Sequence, residues 1–294
     1  MNETIIPDSY QPLTEIRTNK RFSTFEGRRN GERVFIKYPV SDELKGRLVD
    51  EAAGLQAMRQ LDPNESLYRV PSVIELTDTY IVTEWAEGKL MEEDFKVFNT
   101  EAIERHLEYL IRLYAFVDQA AASGVASVEA TNTTIDKTLA RLSSLNFESY
   151  VDEKLVQQIA EYIRTQTPHI ETKATNGDLQ PGNIFVSEGA PPTVVDCESY
   201  RDIWPRHYNI INFVFNYGAA YPGLQSALRV MLESYAEKAG VVLKDSTDTF
   251  NISAATRTLQ MLEERLSGEG LSDDAKRYIT NAIRNILEGH LFNE

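Results

Sequence analysis

The stretch that most restricts how this chain can fold is Asn176-Gly177-Asp178-Leu179-Gln180-Pro181-Gly182-Asn183-Ile184-Phe185-Val186, followed by Val194-Val195-Asp196-Cys197-Glu198. Glycine and proline in the first part predict a turn-forming segment that leads into a short strand, Ile184 to Ser187. Gly189-Ala190-Pro191-Pro192 separates it from a second strand-like run, Thr193 to Asp196. A hairpin of the two runs brings the side chains of Asp178, Asn183 and Asp196 to one end of a strand pair. Phosphoryl transfer needs such a set: one carboxylate orients the attacking hydroxyl and accepts its proton, while an amide oxygen and a second carboxylate hold magnesium against the phosphates.

The rest of the chain supplies a frame. Pro12 to Thr18, Arg21 to Gly27 and Arg33 to Tyr38 read as strands, with Asn30-Gly31 the clearest hairpin signal. In the third, Val34 and Ile36 point to one face, Phe35 and Lys37 to the other. Leu48, Glu51, Ala52, Leu55 and Met58 recur at helical spacing, and Asp62-Pro63-Asn64 ends that helix. Val73 to Leu76 and Tyr80 to Trp85 read as two more strands, and Ala86-Glu87-Gly88 as a hinge. Beyond it the pattern turns helical: apolar faces run over 103–117 and 151–163, then over 210–217, 224–239, 254–266 and 275–287. The expected order is a small strand-rich lobe over residues 1–85 and a larger helical lobe over 86–294, an α+β architecture.

The pattern N-G-D-L-x-P-G-N-I-x-V, then V-V-D-x-E, resembles the catalytic loop and metal-binding segment of the aminoglycoside phosphotransferase and choline kinase superfamily. The usual form there is H-G-D-x-x-x-x-N followed by I-D-x-E or I-D-x-D. The resemblance implies a two-lobed protein-kinase-like fold with ATP and Mg2+ as cofactors, Asp178 as catalytic base, and Asn183 and Asp196 as metal ligands. It also gives roles to residues elsewhere. Lys37, on the third strand, falls where a kinase places the lysine that contacts ATP phosphates. Glu51, on the following helix, can pair with it. Backbone groups of Glu84 and Ala86 occupy the linker expected to hydrogen-bond adenine. The chain departs from the pattern in three places: Asn176 replaces the histidine of H-G-D, no G-x-G-x-x-G precedes Lys37, and Ile203-Trp204-Pro205-Arg206-His207-Tyr208-Asn209 stands where D-P-x-x-D is common.

The implied activity is transfer of phosphate to a hydroxyl of a small molecule such as an amino sugar, an aminoglycoside-like compound or another metabolite. A protein kinase needs a long activation segment, whereas Asp196 reaches the apolar helix near Ile210 after a short loop. The alternative from another class is a pseudokinase acting as a nucleotide-binding regulatory or interaction module. Forty-five acidic against 30 basic residues give a formal net charge of −15. Such a surface repels nucleic acid and anionic membranes and would attract a cationic acceptor. Absence of a basic-then-apolar leader, of a ~20-residue apolar run and of any cysteine beyond Cys197 reads as cytoplasmic. Flanking acids disfavour a Cys197 thiolate. His106, His169, His207 and His290 show no metal-ligand spacing and read as surface or packing residues. Glu198 and Asp202 read either as acids lining the acceptor site or as solvated loop residues.

Overall fold

A computed structural model of the chain describes residues 7–145, 147–241, 247–267 and 273–289. Their contacts define two compact units. One comprises residues up to Thr100 with Asp178–Tyr200, the other Glu101–Gly177 with the residues from Arg201 onward.

The first unit is built on a five-stranded antiparallel sheet of β1 (Thr14–Thr18), β2 (Phe22–Arg29), β3 (Glu32–Pro39), β4 (Val73–Leu76) and β5 (Ile81–Glu84), in the order β1-β2-β3-β5-β4. The β2–β3 turn is made by Asn30 and Gly31, both at positive φ, as a two-residue hairpin requires. Alternation along β3 divides the sheet as expected. Val34 and Ile36 join Tyr10, Tyr80 and Val82 in one apolar cluster. On the opposite face, α1 (Gly46–Leu61) packs through Leu48 against Phe22 and Ile81. Lys37 pairs across the ladder with Thr24 on one side and Ile81 on the other, so it lies on the face that α1 covers.

Chain order alone puts the Asp178–Glu198 loop with the helical segment. By contacts it groups with the strand-rich residues, because β6 (Lys89–Leu90) pairs with β9 (Ile184–Val186), which pairs in turn with β10 (Thr193–Val194). A single bridge also joins Arg69 to Thr193. Between β6 and the helical unit lies the short α2 (Glu92–Lys96).

The second unit contains α3 (Thr100–Ala120), β7 (Ser123–Val125), α4 (Val128–Ser144), α5 (Glu153–Gln166), β8 (Glu171–Asn176), β11 (Tyr200–Pro205), α6 (Tyr208–Ala220), α7 (Gln225–Lys238), α8 (Thr247–Ser267) and α9 (Asp273–Leu287). Helix α8 packs on α4, α5, α6 and α9, and the strands form a small sheet in the order β11-β8-β7. The expected helices all appear. Helix α4 was hidden by its Thr- and Asn-rich sequence, which favours non-helical backbone; it buries only Ile135 and Leu142 and starts on Ser127, whose hydroxyl accepts from the Ala130 N–H. No helix among the described residues is long and apolar enough to cross a membrane.

Where D-P-x-x-D is common, this chain builds a different anchor. Arg206 lies at 2.9 Å from Asp118 and 3.1 Å from Glu171. His207 takes a left-handed backbone (φ 69°) just before α6, with its ring stacked 4.4 Å from Phe250 and Nδ1 2.7 Å from the Tyr235 hydroxyl. Burial pushes the imidazole down to about 4; Asp118 opposes this shift, while Arg206, already paired with that carboxylate, adds to it. The fold therefore prefers neutral His207, and the unfolded chain binds the proton more readily. Stability is full above pH ~6.5 and is lost as pH falls toward 4, by up to about 3 kcal/mol. His207→Asn, which suits the left-handed backbone, is expected to flatten this acid limb in a melting-temperature series across pH 4–7.

Candidate active site

Six charged side chains converge within the first unit. The Lys37 ammonium donates to Glu51 Oε2 at 2.7 Å, Asp196 Oδ1 at 2.8 Å and Glu198 Oε2 at 3.1 Å, so each of its three protons has a carboxylate partner. Glu198 Oε1 also accepts from Arg21 Nη1 at 2.9 Å and Arg47 Nη1 at 3.2 Å. Three cations thus face three anions. Burial disfavours the Lys37 charge, but the attraction of Glu51, Asp196 and Glu198 outweighs it and raises the ammonium above its ordinary value. Glu51 is pushed up by burial and by its two acidic neighbours, against the pull of Lys37. Among the described residues, Glu51, Asp196 and Glu198 bring ligand atoms within 4.8 Å of one another. Lys37 sits among these three carboxylates and is bonded to each of them.

The loop ahead of β9 is tied on itself. Asn183 Nδ2 donates to the Asp178 carbonyl and to Asp178 Oδ2, both at 2.9 Å, and Gln180 Nε2 donates to Asp178 Oδ1. Because the Asn183 amide nitrogen is engaged by Asp178, its Oδ1 is directed elsewhere. Asn183 and Asp196 both line a cavity of about 230 Å³ that also meets Lys37 and Glu51. An amide oxygen and a carboxylate are hard donors of the kind magnesium takes, so this pair fits the ion. Asp196 has a left-handed backbone (φ 56°). A non-glycine residue held there costs about 1–2 kcal/mol and is a recurrent mark of functional sites.

The remaining wall suits a planar base. Phe22, Phe35, Leu55, Trp85, Leu90 and Phe185 supply apolar surface, and Glu84 and Ala86 lie beside them. The Glu84 N–H is committed to the Ser72 carbonyl at 3.0 Å, so only its carbonyl side can serve a ligand. That narrows the expectation that both backbone groups of this linker are available. Arg33 stacks 3.9 Å from the Trp85 ring and fixes it.

Glu198 is neither a solvated loop acid nor a free acceptor-site carboxylate; it is 4% exposed and clamped between Lys37, Arg21 and Arg47. The side chain of Asp202 and all of His290 lie outside the described residues. Arg21 and Arg47 belong to no motif in the sequence, and their part in this cluster appears only in the fold. A cation at the first turn, where the glycine-rich pattern is missing, was the available signal. Cys197 is buried; its thiol is pushed well up by burial, with Glu51 and Asp196 adding to the effect, so it is no nucleophile.

Helix α1 is set against this segment by Gly54, where a Cβ would come within 2.1 Å of the Cys197 carbonyl oxygen. Gly54→Ala is therefore expected to push α1 outward, lowering stability by about 2 kcal/mol and loosening the Lys37–Glu51 pair. Thermal denaturation and turnover measured together test this: both fall if the helix is displaced.

The fold defined by these elements is the protein-kinase-like α+β fold of small-molecule phosphotransferase structures, an antiparallel-sheet N-terminal region followed by a helical region. Among individual structures, a thermostable mutant of aminoglycoside phosphotransferase APH(4)-Ia, in ternary complex with ADP and hygromycin B, matches with a TM-score of 0.59 and 14% identity over 97% of this chain and 96% of that one. The streptomycin–ATP ternary complex of APH(2")-IIa matches with a TM-score of 0.58 and 11% identity over 96% and 94%. Spectinomycin phosphotransferase APH(9)-Ia, in complex with ADP and spectinomycin, matches with a TM-score of 0.53 and 11% identity over 94% and 91%. At such identities the likeness is one of fold. No protein-family model matches the chain, and no curated protein matches its sequence.

Proposed function

We propose that the chain is an ATP- and magnesium-dependent phosphotransferase that phosphorylates a hydroxyl of a small molecule. The observation that carries this reading is the Lys37 ammonium bound at once to Glu51 and Asp196, at 2.7 and 2.8 Å, in the cavity that Asn183 also lines. In this reading residues 1–85 form the nucleotide-binding lobe, and residues 86–294 carry the catalytic loop and the acceptor site.

The base lies between Phe35, Trp85 and Phe185, with the Glu84 carbonyl and the Ala86 backbone as its hydrogen-bond partners. Lys37 meets the phosphates, oriented by Glu51. Asp178 orients the acceptor hydroxyl and accepts its proton as the new oxygen–phosphorus bond forms. The bond from the γ-phosphorus to the bridging oxygen breaks, and ADP leaves with that oxygen's charge. Asn183 and Asp196 would hold Mg2+, which supplies charge neutralisation at the phosphates when bound. Positioning and electrostatics account for the rate, since the protein forms no covalent bond.

The comparisons support this reading through the fold, and the neighbours' ADP and ATP complexes are consistent with a nucleotide in the cavity. The test is a magnesium–ATP phosphate-transfer screen across amino sugars, aminoglycosides, choline-like amines and free sugars. Acceptor-dependent ADP release with a phosphorylated product is expected. If the chain binds ATP but neither transfers phosphate nor hydrolyses it, the nucleotide-binding pseudokinase reading replaces this one.

A further inference from the structure

The turn between β1 and β2 is not built to grip an anion with its backbone. A loop that does so offers N–H groups to phosphate and uses glycine to bring them close. Residues 19–22 read Asn-Lys-Arg-Phe, without a glycine. Their N–H groups are largely spent inside the turn. The Asn19 N–H donates to the Phe22 carbonyl at 2.9 Å, and Asn19 Oδ1 accepts from the N–H groups of Arg21 at 2.7 Å and Phe22 at 2.8 Å. What reaches the cavity from here instead is cationic: the side chains of Arg17 and Arg21 both line it. The Arg17 guanidinium has no bonded partner among the described residues. Arg21 is half exposed and rests on Glu198 at 2.9 Å. That carboxylate also holds Lys37 at 3.1 Å and Arg47 at 3.2 Å, so releasing Arg21 leaves it paired. Arg21 and Lys37 lie 5.9 and 4.3 Å from the centroid of the same Phe22 ring, which makes their charges neighbours at one end of the cavity.

We propose that Arg21 is the phosphate-binding residue of this turn: its guanidinium exchanges Glu198 for the phosphates of the nucleotide, and Arg17 adds a second cation beside it. Side chains thereby do what backbone N–H groups do in a glycine-rich loop. The proposal rests on the nucleotide cavity of the preceding reading but not on phosphate transfer. A guanidinium suits the exchange because its planar fork meets two phosphate oxygens at once and keeps its charge at any working pH. The direction of the exchange follows from charge. Glu198 shares one negative charge among three cations, whereas a polyphosphate brings several to an arginine that is already at the cavity wall.

The test is calorimetric titration of the full chain with adenosine, ADP and ATP at fixed magnesium and ionic strength, beside an assay of phosphate transfer. Arg21→Gln is expected to weaken ADP and ATP about tenfold and adenosine not at all, and Arg21→Lys to recover part of the loss. Arg17→Gln breaks no ion pair among the described residues, so it decides the matter if Arg21→Gln does not fold; a loss of about threefold, again confined to ADP and ATP, is expected. Arg28, on the same strand, donates to the Gly31 carbonyl at 3.0 Å and lies outside the cavity wall, so Arg28→Gln removes equal charge and is expected to change none of the three affinities. Unchanged ATP affinity in Arg21→Gln, equal losses for adenosine and ATP, or an equal loss in Arg28→Gln overturns the proposal. A wild-type chain that binds no nucleotide overturns it together with the reading it rests on. ATP affinity that depends on Arg21 in a chain that transfers no phosphate leaves the proposal standing and removes the phosphotransferase reading. Transfer with ATP affinity indifferent to Arg21 does the reverse.

Discussion

Asp178→Asn is expected to lower kcat by roughly 10²–10⁴-fold, the range a positioned general base contributes, with ATP affinity nearly unchanged. An amide at this position cannot take the acceptor's proton. It also disturbs the loop slightly: Gln180 Nε2 and Asn183 Nδ2 each donate to a different Asp178 oxygen, and an asparagine offers only one acceptor. One of these bonds is lost, at a cost of about 1 kcal/mol, so the melting temperature should fall only slightly. Steady-state transfer kinetics with nucleotide titration separate the two effects. Undiminished turnover would show that another group acts as the base.

Lys37→Met should be the most damaging single change to stability. Glu51 and Glu198 are 4% exposed, and without the ammonium they and Asp196 face one another with too little positive charge. Removing one partner of a buried charge cluster typically costs about 3–5 kcal/mol, and the loss of phosphate contact should abolish measurable turnover. The pH dependence has a definite sign. Glu51 is already raised by burial in the native chain, and loss of Lys37 raises it further, so the folded variant binds a proton that the unfolded chain gives up. The deficit should therefore shrink as pH falls below neutrality. A double change, Lys37→Met with Glu51→Gln, should recover much of the stability and none of the activity. Denaturant unfolding at pH 5.5 and 8 beside transfer assays measures both arms.

The residues of the candidate site were legible because they sit on contiguous motifs at fixed spacings: the Asp178–Asn183 loop, the Asp196–Glu198 strand end, and Lys37 and Glu51 on adjacent elements. The alternation of Val34, Phe35, Ile36 and Lys37 put the lysine on the face opposite Val34 and Ile36, and the packing of α1 shows that face to be covered. Elements stabilised by tertiary contacts were hidden. Strand β8 reads Glu-Thr-Lys-Ala-Thr-Asn, with no apolar alternation, yet Thr172, Lys173, Thr175 and Asn176 are all buried. Helix α4 carries three threonines and an asparagine within five residues, a composition that argues against the helix its packing on α8 supports. Likewise the clamp on Glu198 joins it to Arg21 and Arg47, 177 and 151 positions away in the chain. No local pattern reports such a contact.

The seating of α1 on the Cys197 carbonyl bears on how far that helix can be displaced. Many switchable nucleotide-binding proteins idle by swinging a helix away from its lysine partner, and that motion needs a gap or a greasy sliding surface. Here Gly54 removes the gap, and Glu51 and Glu198 grip the same ammonium from opposite ends of the contact. Withdrawing the helix would strand buried charge on both sides at once. Helix α1 and the 196–198 segment are thus yoked through one ammonium, and the helix cannot shift without parting Lys37 from Glu51.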